Sequence, residues 1–180
     1  MPDGKKPLRI NLDETAVCVF QGDVRGNVLV ARNSMAEVQY VAQGAQRRFL
    51  TYVAIVCDVP HIQKVLPQFV IANEHTIPAR LLGHLRSRSP SNFHLLRERT
   101  DWVTTAIMCM IVRAVSAALT PFRAGYPPIF SVDACKAHLA PAVFTACAAA
   151  KLWPLVAPAR KTWLLQPLDT HVLSLIKAAL

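Results

Sequence analysis

Apolar and polar positions follow a strand period in some stretches of the chain and a helix period in others. Leu8-Arg9-Ile10-Asn11-Leu12 alternates in character and runs into Asp13, which predicts a strand ending on an acid. Residues 17–20 continue it with a short apolar run, and 21–27 are Gly- and Asp-containing turn material. Residues 28–31 read as a short strand or part of a loop, and 32–46 are polar and predict no regular element. Phe49–Cys57 is the clearest strand, β-branched and aromatic throughout, and Asp58-Val59-Pro60 ends it. Residues 68–71 predict the next strand, joined to the preceding one as an antiparallel, hairpin-like return.

Between 80 and 99 the composition shifts to Arg80, Arg86, Arg88, Arg97 and Arg99 among Ser87, Ser89, Pro90 and Ser91, which predicts a surface loop. Thr100 or Asp101 is then placed to cap a helix. From Trp102 and Val103 through Ile107, Ile111, Val115 and Leu119, apolar residues recur at three- and four-residue offsets, forming one stripe that ends before Pro121. Trp102 and Trp163 both fall in apolar patterns and are assigned to the core. Residues 128–132 predict a buried strand running into Asp133, and 141–151 an Ala-rich helix with Pro141 in its first turn. Residues 153–156 predict a short strand. Residues 162–165 lead to Gln166-Pro167-Leu168-Asp169, where Pro167 opens a helix to Leu180. Asp169 then falls in that helix's first turn, where the dipole favours a carboxylate. The order of elements suits a mixed α/β sheet covered by helices.

At 180 residues, 53% hydrophobic and 17% charged, the chain suits one domain with a substantial core. The longest uncharged stretch, 137–150, holds His138 and Pro141 and falls short of the roughly 20 apolar residues that span a bilayer. No apolar run follows Lys6 as it would in a signal peptide, so a soluble intracellular protein without a membrane partner is expected. Cys18, Cys57, Cys109, Cys135 and Cys147 are scattered and odd in number, which suits free thiols and lacks zinc-ligand spacing. Twenty basic against 11 acidic residues give a net charge of +9, favouring a polyanionic partner such as nucleic acid.

With so few acids, the three that follow strand-like or open helix-like segments stand out: Asp13, Asp133 and Asp169. Burying a carboxylate is costly unless something compensates it, and a divalent cation does so. Mg²⁺ takes oxygen ligands from a few carboxylates and leaves positions for water and phosphate. Two such ions about 4 Å apart serve phosphodiester chemistry. The same positions also suit aspartates as caps and turn formers, and spacing alone leaves both readings open.

The surrounding residues add a resemblance. Asn11-Leu12-Asp13-Glu14-Thr15 resembles the Asn-x-Asp-Glu-Thr motif that opens the catalytic domain of pogo/Tigger-like transposases of the Tc1/mariner superfamily. Ser131-Val132-Asp133-Ala134-Cys135-Lys136-Ala137-His138 resembles their second motif, an apolar strand ending Asp-Asn-x-x-x-His. Thr162-Trp163-Leu164-Leu165-Gln166-Pro167-Leu168-Asp169 resembles the third, Thr-Ser-Leu-Leu-Gln-Pro-Leu-Asp. The last two acids are 36 positions apart (133 to 169), within the family's range.

The resemblance implies a ribonuclease-H-like fold, a mixed five-stranded sheet with helices on both faces. The first aspartate would lie on the central strand, the second at the end of the adjacent fourth strand, and the third by the helix after the fifth. It implies a DDE endonuclease core in which Asp13, Asp133 and Asp169 bind two Mg²⁺ or Mn²⁺ ions for DNA cleavage and strand transfer. A nuclear location and DNA as partner follow, with homo-oligomerisation left open. Residues 1–8 would be a polar extension and 9–180 the core. The family's N-terminal helix-turn-helix region is expected to have no counterpart, and the C-terminus to be shortened.

Ala134 departs from the family's Asn, and Thr170-His171 from its Gln-Gly. Glu14, on the opposite strand face from Asp13, reads as a supporting residue. His138 reads equally as a contact to the site or as a structural histidine. Arg80, Arg86, Arg88, Arg97 and Arg99 are candidate DNA-phosphate contacts or a solvated basic loop. Cys135 has no partner base that would make it a nucleophile. The competing functions are a catalytically inactive, transposon-derived DNA-binding or interaction protein, and a ribonuclease-H-like nuclease acting on RNA or hybrids.

Overall fold

The structure, a computed structural model, describes residues 6–18, 49–75, 77–159, 161, 168 and 173. Six strands form one mixed sheet: β1 (Leu8–Cys18), β2 (Phe49–Cys57), β3 (Gln68–Asn73), β4 (Phe93–Glu98), β5 (Pro128–Asp133) and β6 (Trp153–Ala157). Their order across the sheet is β4-β3-β2-β1-β5-β6. β1 pairs antiparallel with β2 from Ile10↔Cys57 to Cys18↔Phe49. β2 and β3 are antiparallel, as expected for a hairpin-like return. The pairs β1–β5, β3–β4 and β5–β6 are parallel.

The sheet is the expected ribonuclease-H-like one with a sixth strand added at an edge. That strand, β4, and the helix α2 (Ala79–Arg86) both lie in the stretch predicted to be a surface loop. An edge strand needs few apolar positions: in β4 only Leu95 is buried, so His94, Arg97 and Glu98 hide its character. Leu82 of α2 packs with Ile77, Ala72 and Leu95 in a cluster of its own. Arg86 and Arg97 help build this region. Arg86 Nε donates to the Leu95 carbonyl at 3.0 Å, and Arg97 Nε and Nη2 donate to the carbonyls of Ile77 (2.9 Å) and Glu74 (2.8 Å). We expect Arg86→Ala to lower stability in urea unfolding by about 1 kcal/mol, whereas Arg80→Ala, on an exposed side chain, changes it by less than about 0.5 kcal/mol.

The main core lies between the sheet and α3 (Thr105–Leu119), with α4 (Pro141–Ala149) and the short α1 (Pro60–Gln63). Leu8, Ile10 and Leu12 of β1, Val53 and Ile55 of β2, and Phe130 and Val132 of β5 point to this side. They meet Ile107, Met108, Ile111, Val112, Val115 and Leu119, the apolar stripe of α3. Each fully buried large side chain stabilises the fold by about 1.5–3 kcal/mol relative to exposure. The helix cap is Thr104, whose hydroxyl accepts from the Ile107 N–H at 3.3 Å, rather than Thr100 or Asp101. Trp102 therefore precedes the helix and is 72% exposed, against its expected place in the core; Trp163 lies outside the described residues. Thr105–Phe122 is long and apolar enough to cross a bilayer by length and composition, but its stripe here covers the sheet.

α4 ends in a Schellman motif: Lys151, at φ 52°, turns the chain left-handed, and the Leu152 N–H reaches the Cys147 carbonyl at 2.9 Å. That turn feeds β6 directly. The opposite sheet face carries α2 near β4 and, near the centre, Leu168 and Leu173, both helical and packed on Ala54. Helices thus cover both faces. Residues 17 and 18 belong to β1; residues 19–20, the predicted element at 28–31 and all but Leu168 and Leu173 of the predicted helix from Pro167 to Leu180 lie outside the described residues.

Candidate active site

Strand alternation divides the first motif between the two faces of the sheet. Leu12 and Glu14 point toward α3 and α4, while Asn11 and Asp13 point to the other face. β5 divides likewise: Phe130 and Val132 enter the main core, so Ser131 and Asp133 share the face of Asn11 and Asp13. The parallel register runs from Leu8↔Pro128 to Asn11↔Ser131. The ladder ends two residues short of Asp13 and Asp133, which follow it on adjacent strands and, by alternation, on one face of the sheet. Asp13 is 7% exposed, and its Oδ1 accepts from the Glu14 N–H at 2.9 Å.

Asn11 joins three parts of the chain. Its Nδ2 donates to the Ser131 carbonyl at 3.4 Å, and its Oδ1 accepts the Leu168 N–H at 3.2 Å. Leu168, fully buried, belongs to the third motif and immediately precedes Asp169. Asp169 itself lies outside the described residues. Sequence reading gave Asn11 no role of its own. The available signal was its spacing of two from Asp13, which puts both on one face.

Asp133 is half-buried at the end of β5, where the chain turns. Its Oδ1 accepts from the Cys135 N–H at 3.1 Å and from His138 Nδ1 at 2.6 Å. The other ring nitrogen of His138, Nε2, lies 2.8 Å from Glu14 Oε1. His138 is 1% exposed and so spans from the end of β5 to the opposite face of β1. Burial pushes its pKa down, but hydrogen bonds to Asp133 and Glu14 and their negative charges outweigh this and raise it to about 10. The imidazole is therefore a cation that donates from both nitrogens. In return, the hydrogen bond from His138 holds the Asp133 carboxyl below its ordinary range against the opposing effect of desolvation.

Two sets of residues here could donate to a metal ion. Asp133, Cys135 and His138 bring one ligand atom each to within 4.8 Å of one another. With both His138 nitrogens engaged by carboxylates, this set lacks a free third ligand, in keeping with the absence of zinc-type spacing. Asp13 and Asp133 offer oxygen only, from one sheet face, which fits Mg²⁺ or Mn²⁺. Cys135 is exposed; Cys57 and Cys109 are half-buried, and burial raises the thiol of the enclosed Cys147 to about 11. Arg80, Arg88 and Arg99 are exposed, while Arg86 and Arg97, also at the surface, commit donors to backbone carbonyls.

The fold is an α/β one built on a ribonuclease-H-like mixed sheet. Two solved structures share it: the Mos1 transposase paired-end complex with the left transposon end, and the Mos1 mariner paired-end complex with Mn. Each aligns with a TM-score of 0.55 and 15% identity over 95% of this chain and 41% of that chain. The chain thus spans about two fifths of the length of those transposase chains. No family model matches it, and no curated protein does.

Proposed function

We propose that this chain is a DDE-type endonuclease core of the pogo/Tigger branch, cutting and joining DNA strands with Mg²⁺ or Mn²⁺. The observation that carries this reading is that Asp13 and Asp133 lie on one face of adjacent parallel strands, both just past the end of their shared ladder. Asp169 is the third ligand in this proposal, supported by the attachment of its sequence neighbour Leu168 to Asn11. Bound divalent cations supply an activated water or 3′-hydroxyl and stabilise the leaving oxygen. β1 and β5 hold the carboxylates that receive them, and the rigid sheet fixes their spacing. The chain divides into an extension, expected at 1–8, and a core, expected at 9–180, and Leu8, buried at the start of β1, goes with the core.

DNA is the proposed partner, and a nuclear location goes with it. Mn in one similar transposase complex, and DNA ends in the other, support the choice of ion and substrate class. Of the five candidate arginines, Arg80, Arg88 and Arg99 have uncommitted guanidinium donors for phosphate, among the described side-chain bonds. Arg86 and Arg97 would contribute with what their backbone bonds leave free. A homo-oligomer is compatible with this reading.

Supercoiled DNA incubated with the protein and Mn²⁺ tests it: nicking by the parent and none by Asp133→Ala is expected. Equal nicking by both rejects the catalytic assignment. A second reading, an inactive DNA-binding descendant, is favoured by Ala134, which cannot supply the hydrogen bond of the family's Asn. Salt-dependent DNA binding with no cleavage in any divalent metal would select it.

A further inference from the structure

We propose that Glu14 and His138 form a positioning clamp for Asp133: His138 acts only by holding the Asp133 carboxylate, and Glu14 only by holding His138. The inference rests on the reading of Asp13 and Asp133 as a metal-binding pair and deepens it.

The geometry separates this role from a catalytic one. A general base or metal ligand needs an available nitrogen, and both nitrogens of His138 lie within 2.8 Å of a carboxylate oxygen. Its side chain is fully enclosed, whereas the side chains of Asp133 and Glu14 keep 30% and 20% of their surface. Glu14 leaves β1 on the face opposite Asp13, so its path to Asp133 runs through the imidazole, around the end of the strands. Both donors to Asp133, the Cys135 N–H and His138 Nδ1, converge on Oδ1. A carboxylate held by one oxygen presents the other, Oδ2, in a fixed direction. Partners behind a ligand typically govern metal affinity in this way, and losing one costs about 10–100-fold.

Mn²⁺ binding to the full chain by calorimetry, without DNA, reads the clamp directly. His138→Ala is expected to weaken Mn²⁺ binding by about 10–100-fold. His138→Asn, whose amide reproduces the Nδ1 donor, is expected to recover most of that loss. Glu14→Ala weakens binding in the parent and adds nothing in the His138→Ala background, because its effect travels through the imidazole. Additive losses would mean that Glu14 reaches the cation itself and would overturn the proposal, as would parental affinity in His138→Ala.

A metal-free measurement keeps the two readings apart. Side-chain couplings of Asp133 by NMR should report one χ1 rotamer in the parent and in His138→Asn, and averaging in His138→Ala and Glu14→Ala. A single rotamer in all four overturns the clamp. The expected rotamer pattern in a parent that binds no Mn²⁺ upholds the clamp and rejects the metal pair.

Discussion

Asp13→Asn is expected to abolish Mn²⁺-dependent cleavage. Asn keeps the shape of Asp13 and the oxygen that accepts the Glu14 N–H. It removes a charge from a position only 7% exposed, on the sheet face that also carries Asp133. Cleavage should fall at least about a thousandfold, equivalent to about 4 kcal/mol of lost transition-state stabilisation. Mn²⁺ should separate the two proteins further: at a hundred times its dissociation constant it stabilises the parent by about 2.7 kcal/mol and leaves the variant unchanged. Parental cleavage by the variant, or equal Mn²⁺ stabilisation of both proteins, would remove Asp13 from the metal site.

The second large effect belongs to His138. Its removal leaves Asp133 and Glu14 facing an enclosed space with no cation between them, and breaking one partner of a buried ionic group costs about 3–5 kcal/mol. The pH dependence has a definite sign. The folded imidazole titrates at about 10, above its ordinary 6.5, so its contribution is complete below about pH 6.5 and is lost as pH rises through about 10. The Asp133 carboxyl is lowered from 3.8, so its contribution is complete above about pH 3.8 and is lost as pH falls. Metal-free denaturant unfolding of the parent and His138→Ala should therefore differ most between about pH 4 and 6.5, with the gap closing toward pH 10. A gap that widens with rising pH would mean the imidazole is buried in its neutral form.

Much of this arrangement was legible in the sequence, and the exceptions have physical causes. β2 is buried on both faces through Val53, Ala54 and Ile55, and β5 buries Phe130 and Val132 on one; their mostly apolar sequences show it. The α3 stripe was visible because one face of it fills the main core, yet its start was misplaced. Thr104, and not Thr100 or Asp101, accepts the orphan N–H, which leaves Trp102 outside the helix. β4 and α2 were read as loop because their arginines were taken as surface charge, while Arg86 and Arg97 satisfy carbonyls of the fold. The acids themselves were conspicuous by their scarcity, but spacing could not show that Asp13 and Asp133 share one sheet face on adjacent strands. That requires the parallel register of β1 and β5, a pairing of residues 120 positions apart. The engagement of both His138 nitrogens was equally out of reach, since Glu14 is 124 positions away. Motif order placed these residues as neighbours in the site; only the fold separates what holds a carboxylate from what would hold a cation.

The most direct test is anomalous diffraction from crystals of the protein soaked in Mn²⁺. The account predicts a manganese peak bound jointly by the Asp13 and Asp133 carboxylates, lost in Asp13→Asn. A peak on Cys135 and His138 with Asp13 uninvolved, or no peak at either aspartate under saturating Mn²⁺, would contradict it.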